Sequence, residues 1–323
     1  MVKLSDIAKR ANVGVSTASY VLGKTGLHKV SPETRERILA AARELNYVPN
    51  VAGKALRKGM TYTAALLFPD ISGSFAFNII AGLENELNKN TYSMLFCKYR
   101  NQAEFEEKCR LLGGRQIDGV IVLGCYPGSE QAVCQLNKYH PVISLAHKID
   151  VPEVPSVYVD GSRISFLAVK YLIGRGHRRI AIQQGVDSNK VAGAKAAADN
   201  SDVELLFAPR EIRSGKDFLN WGLAQKAKIT AFAAYSDQVA FEFIGSAIDK
   251  GIKIPDELSV VGVDGEEFGA LLRPALTSIR QPDFEQGAAA VRLLMQKIKS
   301  GSAENMVLQP ELLERSSVAK INK

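Results

Sequence analysis

Paired cysteines, clustered histidines and long apolar runs are all absent from this 323-residue sequence. None of the four cysteines stands in a Cys-x-x-Cys pair and the four histidines are scattered, so zinc-ligand spacing is lacking and we expect no metal site. No apolar run approaches the roughly 18 residues of a membrane span, and charged residues interrupt the N-terminal stretch where a secretory signal needs an apolar core. We therefore expect a cytoplasmic protein with buried or idle thiols.

Signatures of several enzyme classes are missing as well. The sequence has no Walker A loop, no GxSxG elbow and no HExxH, and GRGHRR at 174–179 lacks the GxGxxG spacing of dinucleotide-binding turns. No acid/base or nucleophile constellation can be assembled from the remaining residues. We interpret the chain as a binding protein, not an enzyme, and expect no cofactor.

Positive charge is concentrated at one end of the chain. Residues 1–60 contain eleven lysines and arginines against four acidic residues, which gives +7 and equals the formal net charge of the whole chain. The rest of the sequence is therefore neutral on balance. A basic segment attached to a neutral body indicates a polyanion-binding module joined to a body with a different task.

The basic segment contains three short helical patterns. A first helix is predicted with Ser5 as its N-cap, and a second helix follows the break at Gly14. The third pattern, SPETRERILAAARELNY, has Ser31 as N-cap, Pro32 at the first helical position and an expected end at Pro49. The apolar positions that could share one small core are Leu4, Ile7, Ala8, Ala11, Ala18, Val21, Leu22, Ile38, Leu39, Ala42 and Leu45.

A second helix held across the first by a tight turn can enter the major groove of B-DNA. The side chains on its outer face are expected to read base edges, and these are Val15, Ser16 and Tyr20. Hydroxyl and basic side chains expected to contact phosphates or support the helix are Ser5, Thr17, Ser19, Lys54 and Arg57. The pattern predicts a helix-turn-helix DNA-binding domain.

Short apolar runs alternate with helical stretches after Gly59. The runs include TAALLF, DGVIVLG, PVISLA and LSVVGVDG, and helical stretches lie around residues 75–89, 102–113 and 129–138. Near-continuous apolar strands separated by helices indicate parallel sheets covered on both faces. About ten such strands fit two successive α/β lobes better than one sheet, with a ligand cleft at the carboxyl ends of the strands.

The first sixty positions resemble the lactose-repressor (LacI/GalR) family of bacterial transcriptional regulators. The resemblance is carried by LSDIAKRANVGVSTASYVL, SPETRERILAAARELNYVPN and VAGKALRKG, and it continues through YLIGRGHRRIAI, IPDELSVVGVDG and PALTSIRQPDFEQGAAAVRLLMQKI. It implies a helix-turn-helix domain, a hinge helix and a bilobed α/β core like that of periplasmic binding proteins. It also implies a homodimer with a small-molecule effector between the lobes.

The resemblance further implies a division of the chain into domains. The helix-turn-helix domain is expected over 1–48 and the hinge over 49–60. The N-lobe of the core is expected over 61–160 with the return of 283–308, and the C-lobe over 161–282 with 309–323. Within the hinge, the resemblance implies that Leu56 wedges into the minor groove of the operator beside Val51 and Ala52.

Seven residues match, or lie beside, positions that contact the effector in the family. Lys190 stands in the place of a clamping arginine, Ser236 in that of an asparagine, and Asp264 keeps a carboxylate, whereas Ala146 replaces a frequent aspartate. An ammonium is a hydrated point charge and not a planar clamp, so a standard hexose or purine fit is not implied. The expected effector set is Phe75, Phe77, His147, Lys190, Phe218, Ser236 and Asp264.

The sequence thus predicts a DNA-binding transcriptional regulator, specifically a repressor of a catabolic or transport operon. A sugar or sugar derivative is expected to release it from, or recruit it to, a pseudo-palindromic operator. Two alternatives stay open. The body alone would suit a solute-binding protein without DNA function, and a cytosolic sugar-processing enzyme could carry a DNA-binding appendage.

Overall fold

The computed structural model describes residues 2–23, 29–48, 59–70, 74–185 and 189–321. The chain divides into two compact units, residues 1–61 and residues 62–323. Each unit contains buried apolar clusters of its own. Within the described ranges, no helix combines the length and the hydropathy needed to cross a bilayer.

The described residues of the first unit contain the three predicted helices, α1 (Leu4–Arg10), α2 (Val15–Leu22) and α3 (Pro32–Glu44). The predicted apolar faces meet in one core, whose buried members are Ile7, Ala8, Ala11, Ala18, Val21, Ile38 and Ala41. Gly14 is the N-cap of α2, and the Ser31 side chain caps α3 by accepting a hydrogen bond from the Thr34 N–H. The predicted helix-turn-helix arrangement is confirmed.

Two expected helix ends are wrong. Helix α1 begins two residues earlier than predicted, because Lys3 is its N-cap and the Asp6 carboxylate accepts a hydrogen bond of 2.8 Å from the Lys3 backbone N–H. Ser5 therefore lies inside the helix and does not cap it. Helix α3 ends at Glu44, and Asn46 adopts a left-handed backbone conformation (φ 48°) that stops the helix before Pro49.

The second unit contains two six-stranded sheets, which define two lobes. All neighbouring strands of the first sheet are parallel, in the order β11-β5-β4-β3-β1-β2. Its strands are β1 (Thr63–Pro69), β2 (Ser93–Tyr99), β3 (Gly119–Leu123), β4 (Val142–Ala146), β5 (Ser156–Val159) and β11 (Met306–Leu308). The helices between β1 and β4 are α4 (Ser74–Lys89), α5 (Gln102–Gly113) and α6 (Glu130–Asn137).

The second sheet has the order β12-β10-β9-β8-β6-β7, and only its edge strand β12 is antiparallel to its neighbour. Its strands are β6 (Arg179–Ile182), β7 (Glu204–Phe207), β8 (Ala231–Ala233), β9 (Ser259–Asp264), β10 (Thr277–Arg280) and β12 (Glu311–Leu313). The helices that accompany it are α7 (Gly161–Gly174), α8 (Asn189–Ala198), α9 (Gly215–Leu223) and α10 (Asp237–Asp249), with a short 3₁₀ helix at Glu267–Ala270.

The inner strands are buried along nearly their whole length. Every residue of β3 and β8 is buried, as are all but the end residues of β1, β4 and β9. The residues of the edge strand β2 are instead exposed or partly buried, except for Tyr99 at its end, which is buried. Helices on both faces of each sheet explain why the inner strands read as continuous apolar runs. The predicted class, two parallel α/β lobes, is confirmed.

The chain returns to the first lobe after β10. Helix α11 (Asp283–Ser300) packs on α4 and against β3, β4 and β5. Two glycines permit the close approach of the helices, since a Cβ atom on Gly82 would lie 1.9 Å from the Phe284 carbonyl oxygen, and one on Gly287 would lie 2.2 Å from that of Ile79. Strand β11 then joins the first sheet and β12 the second.

Candidate functional sites: a helix face and a cavity between two lobes

Helix α2 presents an outer face opposite its buried residues. Ala18 and Val21 lie in the core, while Val15 and Tyr20 are 50% and 42% exposed and Ser16 is exposed too. This pattern follows from the helical step of about 100° per residue, which turns Ser16 and Tyr20 away from the core side. Exposed apolar and aromatic side chains on a short helix of a small domain are available to base edges in a groove.

The other predicted DNA contacts divide into described and undescribed positions. Ser5 is exposed, and Thr17 and Ser19 are half-buried beside the outer face of α2. An ion pair of 2.8 Å between Arg10 and Glu44 joins α1 to α3, but both side chains are about half exposed and the pair adds little stability. The predicted hinge residues Val51, Ala52, Lys54, Leu56 and Arg57 lie outside the described residues.

A cavity of about 280 Å³ lies between the two lobes of the second unit, at the carboxyl ends of both sets of strands. Five of the seven predicted effector residues line it, namely Phe75, His147, Lys190, Ser236 and Asp264, together with Ala146. Each stands at the end of a parallel strand or in the loop or helix that follows one, which is where open α/β sheets bind ligands. The cavity is thus built from both lobes.

Lys190 lies beside an aromatic ring and near a partly buried carboxyl group, that of Asp264. Its Nζ atom is 3.8 Å from the centroid of the Tyr235 ring and donates a hydrogen bond of 3.4 Å to the Tyr235 carbonyl oxygen. Burial raises the pKa of Asp264 to about 6, and the nearby charge of Lys190 opposes this rise. Above that pH the cavity offers an ammonium donor and a carboxylate acceptor side by side.

Asp264 is held in an unusual backbone conformation. Its φ of 114° lies in a region that residues other than glycine rarely adopt. The Gln281 side-chain amide donates a hydrogen bond of 2.9 Å to Asp264 Oδ1, and the Gln281 backbone N–H donates to the Asp264 carbonyl. Such strained residues persist where their surroundings fix them, and they cluster at ligand sites.

A second aspartate supports the loop that follows β9. Asp237 is fully buried, and its carboxylate accepts hydrogen bonds from the Ser278 hydroxyl (2.6 Å) and the Glu266 backbone N–H (2.7 Å). Burial raises the pKa of Asp237 to about 7. These contacts tie α10 and β10 to the loop that places Glu266 in the cavity wall. Ser236, the N-cap of α10, accepts a hydrogen bond from the Val239 N–H and keeps its own hydroxyl proton for another acceptor.

Two predicted effector residues are wrong. Phe218 is fully buried in the core of the second lobe, where its ring lies 5.3 Å from the Phe232 ring and 6.1 Å from the Phe243 ring. It sits on the inner face of α9 and not at the carboxyl edge of the sheet. Phe77 is 72% exposed and does not line the cavity. Two positions along a helix turn a side chain by about 200°, so Phe75 and Phe77 cannot share one wall.

Seven residues that line the cavity were missed by sequence reasoning, and three of them are Tyr235, Glu266 and Gln281. All three lie within two residues of a strand end, after β8, β9 and β10 respectively. Position at the carboxyl edge of a parallel sheet was therefore a signal that could have found them.

Comparison with known proteins agrees with this architecture. The family model described as "Bacterial regulatory proteins, lacI family" matches residues 3–50, and the "Periplasmic binding protein-like domain" matches residues 169–318. The HTH-type transcriptional repressor PurR of Aliivibrio fischeri (strain MJ11) is 30% identical over 339 aligned positions, which cover 98% of both chains.

Solved structures give the same picture. The lac repressor dimer bound to operator and the anti-inducer ONPF superposes with a TM-score of 0.85 over 98% of this chain and 99% of that one, at 22% identity, which supports the fold alone. A LacI family transcriptional regulator from Enterococcus faecium with bound ribose is 25% identical, with a TM-score of 0.70 over 80% of this chain and 100% of that one. Since the repressor from Aliivibrio fischeri matches over both whole chains, and the lacI model matches the three-helix unit, this chain belongs to the lacI family and is a DNA-binding transcriptional repressor.

Proposed function

We propose that this repressor senses a sugar or sugar derivative and controls a catabolic or transport operon in the cytoplasm. It acts as a homodimer on a pseudo-palindromic operator, with one α2 helix in each half-site. Effector binding between the lobes changes their relative angle and thereby the affinity for the operator, by release or by recruitment. The proposed domain boundaries are those predicted from the sequence, with 49–60 as the hinge.

The observation that carries the sugar assignment is the pairing of Lys190 and Asp264 in the inter-lobe cavity. A donor and an acceptor side by side match two neighbouring hydroxyl groups, of which one accepts from the ammonium and one donates to the carboxylate. The Ser236 hydroxyl and the Gln281 amide add further polar partners on the same wall. A volume of about 280 Å³ suits a ligand the size of a monosaccharide. The regulator from Enterococcus faecium, which carries ribose, supports this class.

A thermal-shift screen of the full chain tests the assignment. The panel contains neutral pentoses and hexoses, their phosphates, nucleosides and amino acids. We expect a neutral sugar to raise the melting temperature of the wild type. The Asp264→Asn variant should lose this response, whereas Asp249→Asn, at the exposed end of α10, should keep it. A response to nucleosides or amino acids alone would contradict the sugar assignment.

A protein that only stores or carries a solute is the second candidate function. The inter-lobe cavity alone would be sufficient for storing or carrying a solute, but this function would not account for the exposed outer face of α2. Removing residues 1–61 separates the two candidates, because DNA affinity should vanish with the first unit while ligand binding by the second unit remains.

A further inference from the structure

We propose that Tyr235 determines effector specificity by holding the Lys190 ammonium in one direction, towards a hydroxyl group of a neutral ligand beside Asp264. No residue pattern in the sequence singled out Tyr235. The inference deepens the proposed function and rests on it for the use of the cavity. Tyr235 acts as a positioning residue for Lys190 and is itself part of the cavity wall.

The Tyr235 ring packs directly against the backbone of Gly185. A Cβ atom on Gly185 would lie 1.7 Å from ring atom Cε2 and 2.2 Å from Cδ2, so only glycine leaves room for the ring at this place. The backbone of Tyr235 is fixed as well, because its N–H donates a hydrogen bond of 2.9 Å to Gln183 Oε1. The Gln183 amide is buried and donates in turn to the carbonyl oxygens of Ile212 and Arg213, at 3.2 Å each.

The fixed ring then orders a flexible side chain. A lysine ammonium on four methylene groups adopts many rotamers in solution, and holding it costs conformational entropy. Lys190 is held at two points of the same residue, the face of the Tyr235 ring and the Tyr235 carbonyl oxygen. A cation over an aromatic face is attracted by the ring quadrupole, more strongly where water is partly excluded. The donor direction of Lys190 is therefore set before a ligand arrives.

The charges around the cavity favour a neutral ligand. Among the described residues that line it, Asp264 and Glu266 are acidic, Lys190 carries the one permanent positive charge, and His147 is exposed at the rim. A phosphate or other dianion would add negative charge to a wall where carboxylates already outnumber the ammonium. Neighbouring hydroxyl groups of a neutral sugar satisfy both Lys190 and Asp264 without that cost.

Nuclear magnetic resonance of the full chain tests the positioning directly and needs no ligand. Reductive ¹³C-methylation labels the lysine ammonium groups and keeps their charge, and Lys190→Arg assigns the resonance of Lys190. Methyl groups above an aromatic face resonate upfield, so we expect a shifted signal in the wild type and in Tyr235→Phe. Tyr235→Leu should lose the shift, and so should Gly185→Ala, because its methyl group displaces the ring.

Internal controls accompany this measurement. Lys195, whose ammonium lies 5.8 Å from the Phe207 ring centroid, should keep its resonance in every Tyr235 variant. Tyr139→Leu removes an exposed tyrosine of the other lobe and should change neither signal. An unchanged Lys190 resonance in Tyr235→Leu would overturn the proposal.

Calorimetric titration with neutral pentoses and hexoses, and with their phosphates, tests the effect on specificity. We expect Tyr235→Phe to bind the neutral sugar within about twofold of the wild type and Tyr235→Leu to bind it about 5- to 30-fold more weakly. In a Lys190→Met background Tyr235→Leu should cause no further loss, whereas independent losses would contradict the proposal. If no neutral sugar binds the wild type, the sugar assignment itself is wrong, and the resonance of Lys190 still decides whether Tyr235 positions it.

Discussion

Three aspartates lie at the ends of elements: Asp237 begins α10, Asp264 ends β9 and Asp283 begins α11. Asp237 and Asp283 are buried, and Asp264 is partly buried. Burial raises their pKa values to about 7, 6 and 8 respectively, and nearby carboxylates add to each rise. A folded-state pKa above the unfolded value means that folding favours the protonated form. The stability that these groups contribute is therefore fully present below about pH 4 and is lost as the pH rises through 6 to 8.

Asp283→Asn should remove much of this pH dependence. The substitution keeps the shape and can still accept the 3.2 Å hydrogen bond from the Gln286 amide, but it cannot ionise. Denaturant unfolding at pH 8.5 should show the variant more stable than the wild type, by about 1 kcal/mol for each unit by which burial raises the pKa. The difference should disappear below about pH 4. Asp249→Asn is the exposed control, and an equal loss of stability in Asp283→Asn at both pH values would contradict this reasoning.

Tyr20 is the largest exposed side chain on α2, and its replacement should change base preference. Tyr20→Ala should cost about 1–3 kcal/mol on the preferred operator and much less on duplexes altered at the contacted base pair. Selection from a randomised duplex library, followed by anisotropy titrations, measures both effects. Tyr139→Ala, an exposed tyrosine of the second unit, is the matched control. If Tyr20→Ala weakens every duplex equally, Tyr20 contacts the DNA backbone and not a base.

Individual cavity residues were only partly predictable from the sequence. Lys190, Ser236 and Asp264 were predicted from the resemblance to the lactose-repressor family, and all three line the cavity. The prediction for Phe218 fails because an aromatic residue three positions from Trp221 on a short helix fits a core as well as a cleft, and burial depends on which face of α9 packs inwards. Tyr235 depends on a contact with Gly185, 50 positions away, which no local pattern reveals.

Elements were more predictable than residues. Apolar runs bounded by helical stretches mark the inner strands, because burial on both faces leaves no alternation. The ends of the helices were predicted less accurately than the inner strands. The start of α1 is set by the Asp6 carboxylate, which accepts a hydrogen bond from the Lys3 backbone N–H. The N-cap is therefore Lys3 and not the predicted Ser5.

The core of the three-helix unit is small enough for one substitution to unfold it. Ile38 is fully buried between the three helices, and Ile38→Ala should cost about 2–5 kcal/mol, much of the stability of so small a unit. Circular dichroism should show the loss of the helices of the first unit, and DNA binding should vanish with them. The melting transition of residues 62–323 and its response to ligand should remain. Val133→Ala, in the core of the first lobe, should lower the melting transition of residues 62–323 and leave the helices of the first unit folded. A lowered melting transition of residues 62–323 in Ile38→Ala would contradict the expectation that the two units unfold separately.

The whole molecule combines a small basic unit with a larger two-lobed one. The chain passes between the lobes after β5, after β10 and again between β11 and β12, so each lobe contains segments that are distant in sequence. A ligand that contacts both lobes can bind one arrangement of the lobes more tightly than another. It then stabilises that arrangement by the difference between the two binding free energies. Phe75 and His147 from the first lobe and Lys190 and Asp264 from the second line the cavity, and we propose that they make those contacts.

Operator affinity measured with and without the effector shows whether a sugar in the inter-lobe cavity controls DNA binding. Fluorescence anisotropy at about 0.15 M salt compares a library-selected operator with a scrambled duplex, in the wild type and in Asp264→Asn. We predict that the wild type binds the operator at least about 10³-fold more tightly than the scrambled duplex. The sugar found by thermal shift should change operator affinity by about 5- to 150-fold in the wild type but not in Asp264→Asn. Equal affinity for the two duplexes, or the same sugar response in both proteins, would contradict the claim.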